Sequence, residues 1–421
     1  MIVTLPQRRN IELAVTAPPS KSFTHRALIA AALAHGTSTI VHPLIADDTK
    51  LTMAALAQLG VPVTADSKEV RVAGCDGTLH CPPGTVLDLD NSGTTLRLLA
   101  TAALLADNSV TLTGSARMQE RPVGPLAHTL NDLGGMVVFT KKEGYPPLTI
   151  GGRLLGGNAT IDGSASSQFA SSVLMAAPYA KGPVDLTITG TPASQSYLDI
   201  TAEVMTDFGA KIRREGYRHF VVSNRDRYTG RTYVVEGDYS SASYFFALAA
   251  ICGGTVTVAG LNPASVQGDR LFLSALEKMG CRVTYGSDRV IVTHEGPLDG
   301  VTIDMSSAPD TVQTLCMVAA VAKSPTIITG TGHLKYKESD RVAVTADRLK
   351  ALGGKVTTES DRIVILPAPL HGGTIDPSGD HRTAMSFAVL GLGIGGVRIT
   401  SADCVNKSFP GFWELLSKVM A

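Results

Sequence analysis

Of 421 residues, 44% are hydrophobic and 18% charged, a balance that supports large buried cores and excludes a disordered tail or linker. Lys plus Arg and Asp plus Glu both number 37, so there is no bulk field to attract nucleic acid or an anionic membrane, and neither is expected as a partner. The longest apolar stretches, 98–106 and 384–396, fall far short of the roughly 20 residues that span a bilayer; the N-terminus lacks a signal-peptide pattern, and a cytoplasmic location is the expectation.

The chain opens on two strand patterns, 2–5 and 11–15, that have no helix of their own. Pro19-Ser20-Lys21-Ser22 then starts a helix rich in Ala and Leu. The next helix ends in Leu59-Gly60 and leads into a strand, a polar turn and a second strand. That phrase recurs, as LAQLGVPVTADSKEVRV, LNDLGGMVVFTKKEGYPPLTI, MTDFGAKIRREGYRHFVV, LEKMGCRVTYGSDRVIV and LKALGGKVTTESDRIVI. Its glycines, Gly60, Gly134, Gly209, Gly280 and Gly353, stand roughly 73 residues apart, the signature of a structural repeat. Each is expected to end its helix in the left-handed conformation, and the Val/Ile/Thr alternation beyond it is strand chemistry.

Between these phrases lies a second shared block: a polar helix start, an apolar helix, then a strand ending in Gly or Ser. It reads NSGTTLRLLATAALLADNSVTLTG, SSQFASSVLMAAPYAKGPVDLTITG, SSASYFFALAAICGGTVTVAG and APDTVQTLCMVAAVAKSPTIITG. Helices that are apolar nearly all round belong inside a domain, whereas those with a charged face, such as 342–352, belong outside. Each unit reads strand, helix, strand, helix and strand pair, an α/β class. After Ser408 the sixth unit keeps only the helix FWELLSKVMA, so the N-terminal strands 2–5 and 11–15 are expected to complete it. One domain would then comprise residues 1–17 plus 236–421 and the other the inserted residues 18–235, with crossovers near Pro18 and Glu236.

Cys75, Cys81, Cys252, Cys281, Cys316 and Cys404 form no C-x-x-C pair and have no His at metal spacing. They read as reduced, mostly buried small hydrophobes, and no metal site is expected.

The chemistry is expected at the starts of the six inner helices, where unpaired N–H groups and the helix dipole favour anions. These starts read Pro19-Ser20-Lys21-Ser22, Asn91-Ser92-Gly93-Thr94, Ser166-Ser167-Gln168, Ser240-Ser241, Pro309-Asp310 and Asp380-His381-Arg382. Ser and Asn at such places are ordinarily N-caps. Lys21 and Arg382 differ: a cation at a helix N-terminus opposes the dipole and calls for a compensating anion, which a bound phosphate or carboxylate would supply. The loops entering the second helix of each unit carry Arg117, Arg121, Lys337-Glu338, Asp340-Arg341 and Lys407 at corresponding addresses. In so cationic a pocket Asp310 and Glu338 are candidates for proton transfer.

The motifs PPSKSFTHRALIAAALAHG, NSGTTLRLL, RMQERPVG, SSQF, VEGDYSSASYF, QGDRLFLSALEKMG, PDTVQT, KYKESDR, DHRTAM and NKSFPGFW occur in this order along the chain. Together they resemble the 3-phosphoshikimate 1-carboxyvinyltransferase, or EPSP synthase, family. The resemblance implies two inverse α/β-barrel domains, each of three βαβαββ repeats, closing on an active site in the cleft between them. It implies transfer of the enolpyruvyl group of phosphoenolpyruvate to the 5-hydroxyl of shikimate 3-phosphate in aromatic amino-acid synthesis, without a cofactor. It also implies a monomer and a glyphosate target.

By motif, shikimate 3-phosphate would be held by Lys21, Ser22, Arg26, Ser166, Ser167, Gln168, Ser194, Tyr197, Asp310, His333 and Lys337. Phosphoenolpyruvate would be held by Lys21, Gly93, Arg121, Gln168, Glu338, Arg341, Arg382 and Lys407. Catalysis would fall to Asp310, Glu338 and Lys21. Three positions depart from the family pattern: His333 stands where Asn is usual, Ser92 for a customary Ala, and Leu98 for a Pro. Enolpyruvyl transfer to a UDP-amino sugar is the nearest alternative, but enzymes of that kind commonly carry a reactive Cys in the loop matching 114–120, which here has none. A non-catalytic binder of phosphorylated metabolites and a nucleic-acid end-processing protein are further alternatives; only 5% aromatic residues and no basic excess speak against the latter.

Overall fold

Every helix-ending glycine of the repeat takes a positive φ, from 82° at Gly60 to 105° at Gly280, a region that a Cβ disfavours. The strands beyond pair as their alternation predicts: Arg282–Tyr285 runs antiparallel to Arg289–His294, with Val283 opposite Val292. In the computed structural model, which describes residues 1–66 and 68–420, five four-stranded sheets share one strand order and a sixth, of three strands, lacks the last strand of that order. Ser67, in the turn of the first phrase, and Ala421, last in the final helix pattern, lie outside the described residues.

The chain divides into two units, Lys21–Val235, and Met1–Ser20 with Glu236–Ala421. In every sheet the first two strands are parallel and the rest antiparallel. The Lys21–Val235 unit holds the sheet Val86–Asp88, Val110–Thr113, Leu148–Gly152, Gly135–Phe139 and two others like it. The other unit holds two four-stranded sheets and one of three strands, Gly373–Ile375, Val397–Ile399 and Val3–Leu5.

Among the described residues, twelve α-helices alternate between core and surface. They are α1 (Lys21–Leu33), α2 (Asp47–Gln58), α3 (Gly93–Ala102), α4 (Gly124–Asp132), α5 (Gln168–Ala176) and α6 (Ser196–Asp207) in the first unit. The second contains α7 (Tyr239–Cys252), α8 (Leu271–Lys278), α9 (Val312–Ala320), α10 (Arg341–Ala351), α11 (His381–Ile394) and α12 (Phe412–Ser417). The odd-numbered helices are the apolar ones: every residue of α7 is buried, and all of α11 except Ile394. By contrast α10 buries only Arg341, Thr345, Ala346 and Leu349, one stripe of an amphipathic surface helix. Close packing inside depends on small residues; a Cβ on Gly393 of α11 would lie 2.2 Å from Ile251 Cγ2 of α7. Among the described residues no helix is long and apolar enough to cross a membrane.

The strands flanking the crossovers are exchanged. Ile11–Thr16 precedes α1 but pairs with Gly254–Ala259, the strand after α7. Thr232–Val234 precedes α7 but pairs with Thr37–Val41, the strand after α1. This corrects the expectation that both N-terminal strands complete the last repeat. Val3–Leu5 does so, antiparallel to Val397–Ile399. The segment after it is tied to the end of α7, through Asn10 N to Cys252 O (2.9 Å) and Ile11 N to Gly253 O (3.0 Å), which steers Ile11–Thr16 into the neighbouring sheet.

Leu5 is buried against Gly391 of α11. Leu5→Ala is therefore expected to destabilise this unit by about 2–5 kcal/mol. The sole tryptophan, Trp413, donates to Ala402 O in the same unit, so its fluorescence in a urea titration checks the value.

Candidate active site

In the Lys21–Val235 unit the starts of α1, α3 and α5 are joined by side chains. Lys21, first residue of α1, is buried, and its Nζ lies 3.0 Å from Asp48 Oδ2 in the first turn of α2. Asp48 is a site residue the sequence reading passes over; its signal is an acidic pair opening a helix, where the dipole favours negative charge. Thr95 Oγ1 of α3 donates to Asp48 O at 3.3 Å and lies 2.7 Å from both Thr52 Oγ1 and Ser92 Oγ. Ser92 precedes α3, but its hydroxyl bonds Thr95 rather than capping a backbone N–H. Leu98, also a departure from the family pattern, is simply buried in α3.

Gly93 has a specific steric role. A Cβ there would fall 2.4 Å from Arg121 Nη2 and 2.5 Å from its Cζ, so only glycine lets the guanidinium lie flat on the start of α3. Arg121 is held there by donating from Nη1 to Asn91 O (3.0 Å) and Asn91 Oδ1 (3.2 Å). Gln168, first residue of α5, reaches across to α3: its Nε2 donates to Thr94 Oγ1 at 2.9 Å and its Oε1 accepts from Arg97 Nη1 at 3.0 Å. Arg97, stacked over Phe169, is a second residue that motif reading overlooks.

Arg26 is committed largely to the fold. Its guanidinium donates to Thr201 Oγ1 (2.8 Å), Ser22 O (3.1 Å), Ser171 Oγ and Tyr197 O (both 3.3 Å), tying α1 to α5 and α6. Burial pushes it down to about 10, which leaves it charged at neutral pH. Ser166 and Ser167 are buried before α5, and Ser166 Oγ accepts from Gln168 N at 3.2 Å, a local turn bond. Ser194 is buried at a φ of 56°, a left-handed conformation uncommon for a residue with a side chain, and its carbonyl accepts from Tyr197 N. Ser22 is half-buried in α1.

In the other unit, the starts of α7, α9 and α11 converge on one ionic network. Arg341, 2% exposed, donates from Nη1 to Asp310 Oδ1 (2.9 Å), from Nη2 to Glu338 Oε2 (2.6 Å) and from Nε to Asp380 Oδ2 (2.8 Å). Arg382 donates from Nη2 to Asp310 Oδ2 (2.7 Å) and Ser240 Oγ (3.1 Å), and from Nη1 to Asp310 O (3.2 Å) and Tyr244 Oη (3.3 Å). Asp380 caps α11 by accepting from Arg382 N at 3.0 Å. Because α9 begins only at Val312, the Asp310 carboxylate is not spent on a cap and bridges both arginines.

The electrostatics follow from these contacts. Burial opposes the charge of Arg341, but Asp380, Glu338 and Asp310 together outweigh it and raise the guanidinium above its ordinary value. Burial likewise favours a neutral Asp380, yet Arg341 and His381 prevail and hold it below the usual carboxylate range. His333 is buried and pushed down to about 3, by burial first and then by Lys337, against the pull of Asp310, so its imidazole is neutral. A neutral ring offers one donor and one acceptor. Lys337 and Lys407 are half-buried, each at the end of a short 3₁₀ turn.

Lys21 and Arg382, the cations that oppose their helix dipoles, each meet a carboxylate of the fold, Asp48 and Asp310. The network around Arg341 is also not simply cationic, because two guanidiniums meet three carboxylates. The physical reason is that burying charge is costly and pairing offsets the cost, so carboxylates accompany these buried cations.

A family model described as EPSP synthase (3-phosphoshikimate 1-carboxyvinyltransferase) matches residues 5–416. The chain is 79% identical over 420 residues to the 3-phosphoshikimate 1-carboxyvinyltransferase of Methanoregula boonei, covering 100% of both. It is 61% identical over 416 residues to the protein of that name from Methanoculleus marisnigri, covering 99% of each. Among solved structures, EPSP synthase from Acinetobacter baumannii matches at 29% identity with a TM-score of 0.81, over 100% of this chain and 98% of that one.

Asp380→Asn leaves Arg341 short of one counter-charge and is expected to cost about 3–5 kcal/mol. Since folding lowers the proton affinity of Asp380, its contribution is complete above the unfolded carboxylate value of about 3.9 and is lost as pH falls through the lower folded value. Urea titrations followed by Trp413 fluorescence should show the gap between wild type and variant closing across that acid range.

Proposed function

The chain belongs to the EPSP synthase family, the 3-phosphoshikimate 1-carboxyvinyltransferases, and on that premise we propose how its residues move the enolpyruvyl group of phosphoenolpyruvate to the 5-hydroxyl of shikimate 3-phosphate, releasing phosphate. The observation that carries the reading is Asp310 bridging Arg341 and Arg382. Guanidinium forks suit carboxylate and phosphate oxygens, so a substrate anion competes with Asp310 for both.

Arg121, Arg341, Arg382, Lys407 and Lys21 hold the phosphoenolpyruvate anions, with Gly93 admitting the Arg121 guanidinium and Glu338 and Gln168 beside them. Ser22, Arg26, Ser166, Ser167, Ser194, Tyr197, His333 and Lys337 hold shikimate 3-phosphate, with Gln168 and Lys21 touching both substrates. When the substrate anion takes the two guanidiniums, Asp310 loses the charges that stabilise it as a carboxylate and is freed to accept a proton. Binding and proton transfer are thereby coupled.

The reaction proceeds by addition and then elimination. Asp310 removes the 5-hydroxyl proton as that oxygen attacks C2 of phosphoenolpyruvate, and a proton delivered by Glu338 or Lys21 adds to C3, forming a tetrahedral ketal. The same pair then removes a proton from C3 as the C2–O bond to phosphate breaks, which restores the enol double bond. Clustered cations stabilise the charge on the departing phosphate, and the scheme calls on no cofactor.

Phosphate release should require both substrates together; release from phosphoenolpyruvate alone, or none with both present, would sink the proposal. Asp310→Asn is expected to lower kcat by about 10²–10⁴-fold, the usual share of a positioned base. Gly93→Ala pushes the Arg121 guanidinium off the start of α3, so KM for phosphoenolpyruvate should rise by about tenfold or more while the melting temperature moves little. Steady-state kinetics paired with thermal melts separate these outcomes.

A further inference from the structure

Asp269 is a buried carboxyl group that the scheme above does not use. It lies in the turn Gly268–Arg270 before α8, and the preceding Gln267 fastens that turn to the start of α7. There Gln267 Oε1 accepts from Tyr239 N at 2.9 Å and Gln267 Nε2 donates to Gly237 O at 2.8 Å. One residue along α7, Ser240 Oγ accepts from Arg382 Nη2 at 3.1 Å and in turn donates to Asp238 Oδ1 at 2.7 Å. The start of α7 thus joins the turn carrying Asp269 to the Arg382–Asp310 pair.

Asp48, Asp310, Glu338 and Asp380 each meet a Lys or Arg within 3.0 Å. Asp269 differs: its buried Oδ1 has no hydrogen-bond partner among the described residues, and no cation pairs with it there. A buried carboxylate without counter-charge costs so much that the group keeps its proton instead. The charged groups that act on it are Asp310, Arg382, Asp238 and Lys337. Burial, reinforced by Asp310, moves the Asp269 carboxyl well above the usual range, in agreement with the missing partner.

We infer that Asp269 is a positioning residue, a neutral carboxylic acid beside Asp310 and Arg382 whose lack of charge leaves Arg382 to Asp310 and to the anionic substrate. The inference rests on the roles proposed above for Asp310 and Arg382. Were Asp269 ionised, two buried carboxylates would divide the charge of Arg382 and Lys337, and an incoming phosphate or carboxylate would meet a weaker field. The consequence is an alkaline limit on substrate affinity, set where Asp269 gives up its proton.

The test compares wild type with Asp269→Asn, which is neutral at every pH, and with Asp269→Ser as a second uncharged variant should Asn disturb the packing. Infrared spectra at neutral pH should contain a protonated-carboxyl band in wild type that both variants lack. In wild type the KM for phosphoenolpyruvate should rise by about tenfold as pH is raised from neutral and Asp269 loses its proton, the size of one unit of proton coupling. It should rise less in the variants, with kcat moving less than KM. A wild-type spectrum without the band, or the same alkaline rise in all three proteins, overturns the inference. Failure of the proposed function shows separately, as wild-type protein that releases no phosphate from the two substrates, and the infrared comparison then decides the state of Asp269.

Discussion

Arg341 carries its charge almost wholly out of water because the fold surrounds its guanidinium with carboxylates, and this pairing organises the ionic network of its unit. Asp310, Glu338 and Asp380 come from three different stretches of the chain, and together they outweigh the desolvation that burial imposes. Asp380 does double duty, capping α11 while pairing with Arg341. Through that helix the position of Arg382 is tied to the position of Arg341. The same pairing recurs in the other unit, where Lys21, buried at a helix start, meets Asp48.

Pairing of this kind gives an anion site its selectivity as well as its stability. In the proposed scheme the cations are already assembled when a substrate arrives, and the carboxylates it displaces from them become available to move protons. Protonation states are set by environment rather than residue type. Asp380 is held ionised by Arg341, Asp269 is driven to the neutral acid by burial without a partner, and His333 is kept neutral by burial beside Lys337. Such separation of titrating groups in one region is what acid–base chemistry at neutral pH demands.

The repeat explains why these groups meet. Each inner helix occupies the same place in its sheet-and-helix unit, so the starts of α7, α9 and α11 fall together, as do those of α1, α3 and α5. Arg382 touches Ser240 and Asp310 from two sister repeats because all three sit at equivalent addresses. The exchanged strands, Ile11–Thr16 and Thr232–Val234, add a long-range constraint, since each pairs with the strand after a helix it does not itself precede.

Much of this was legible from the residues alone. The glycine-marked period, the all-apolar inner helices and the polar helix starts are local or periodic features, expressed through backbone conformation and hydrophobic pattern, and a linear chain displays them directly. So are Gly93, Arg121, Asp310, Arg341 and Arg382 as candidates, since their motifs are contiguous. Tertiary structure alone decided which charge meets which. Asp48 lies 27 residues from Lys21, and Asp310 lies 72 from Arg382, separations that carry no pairing signal until repeats pack side by side. It also decided the pairing of Ile11–Thr16, which either of two sheets could have accepted by pattern, and the neutral state of Asp269, because desolvation depends on what surrounds a group in space.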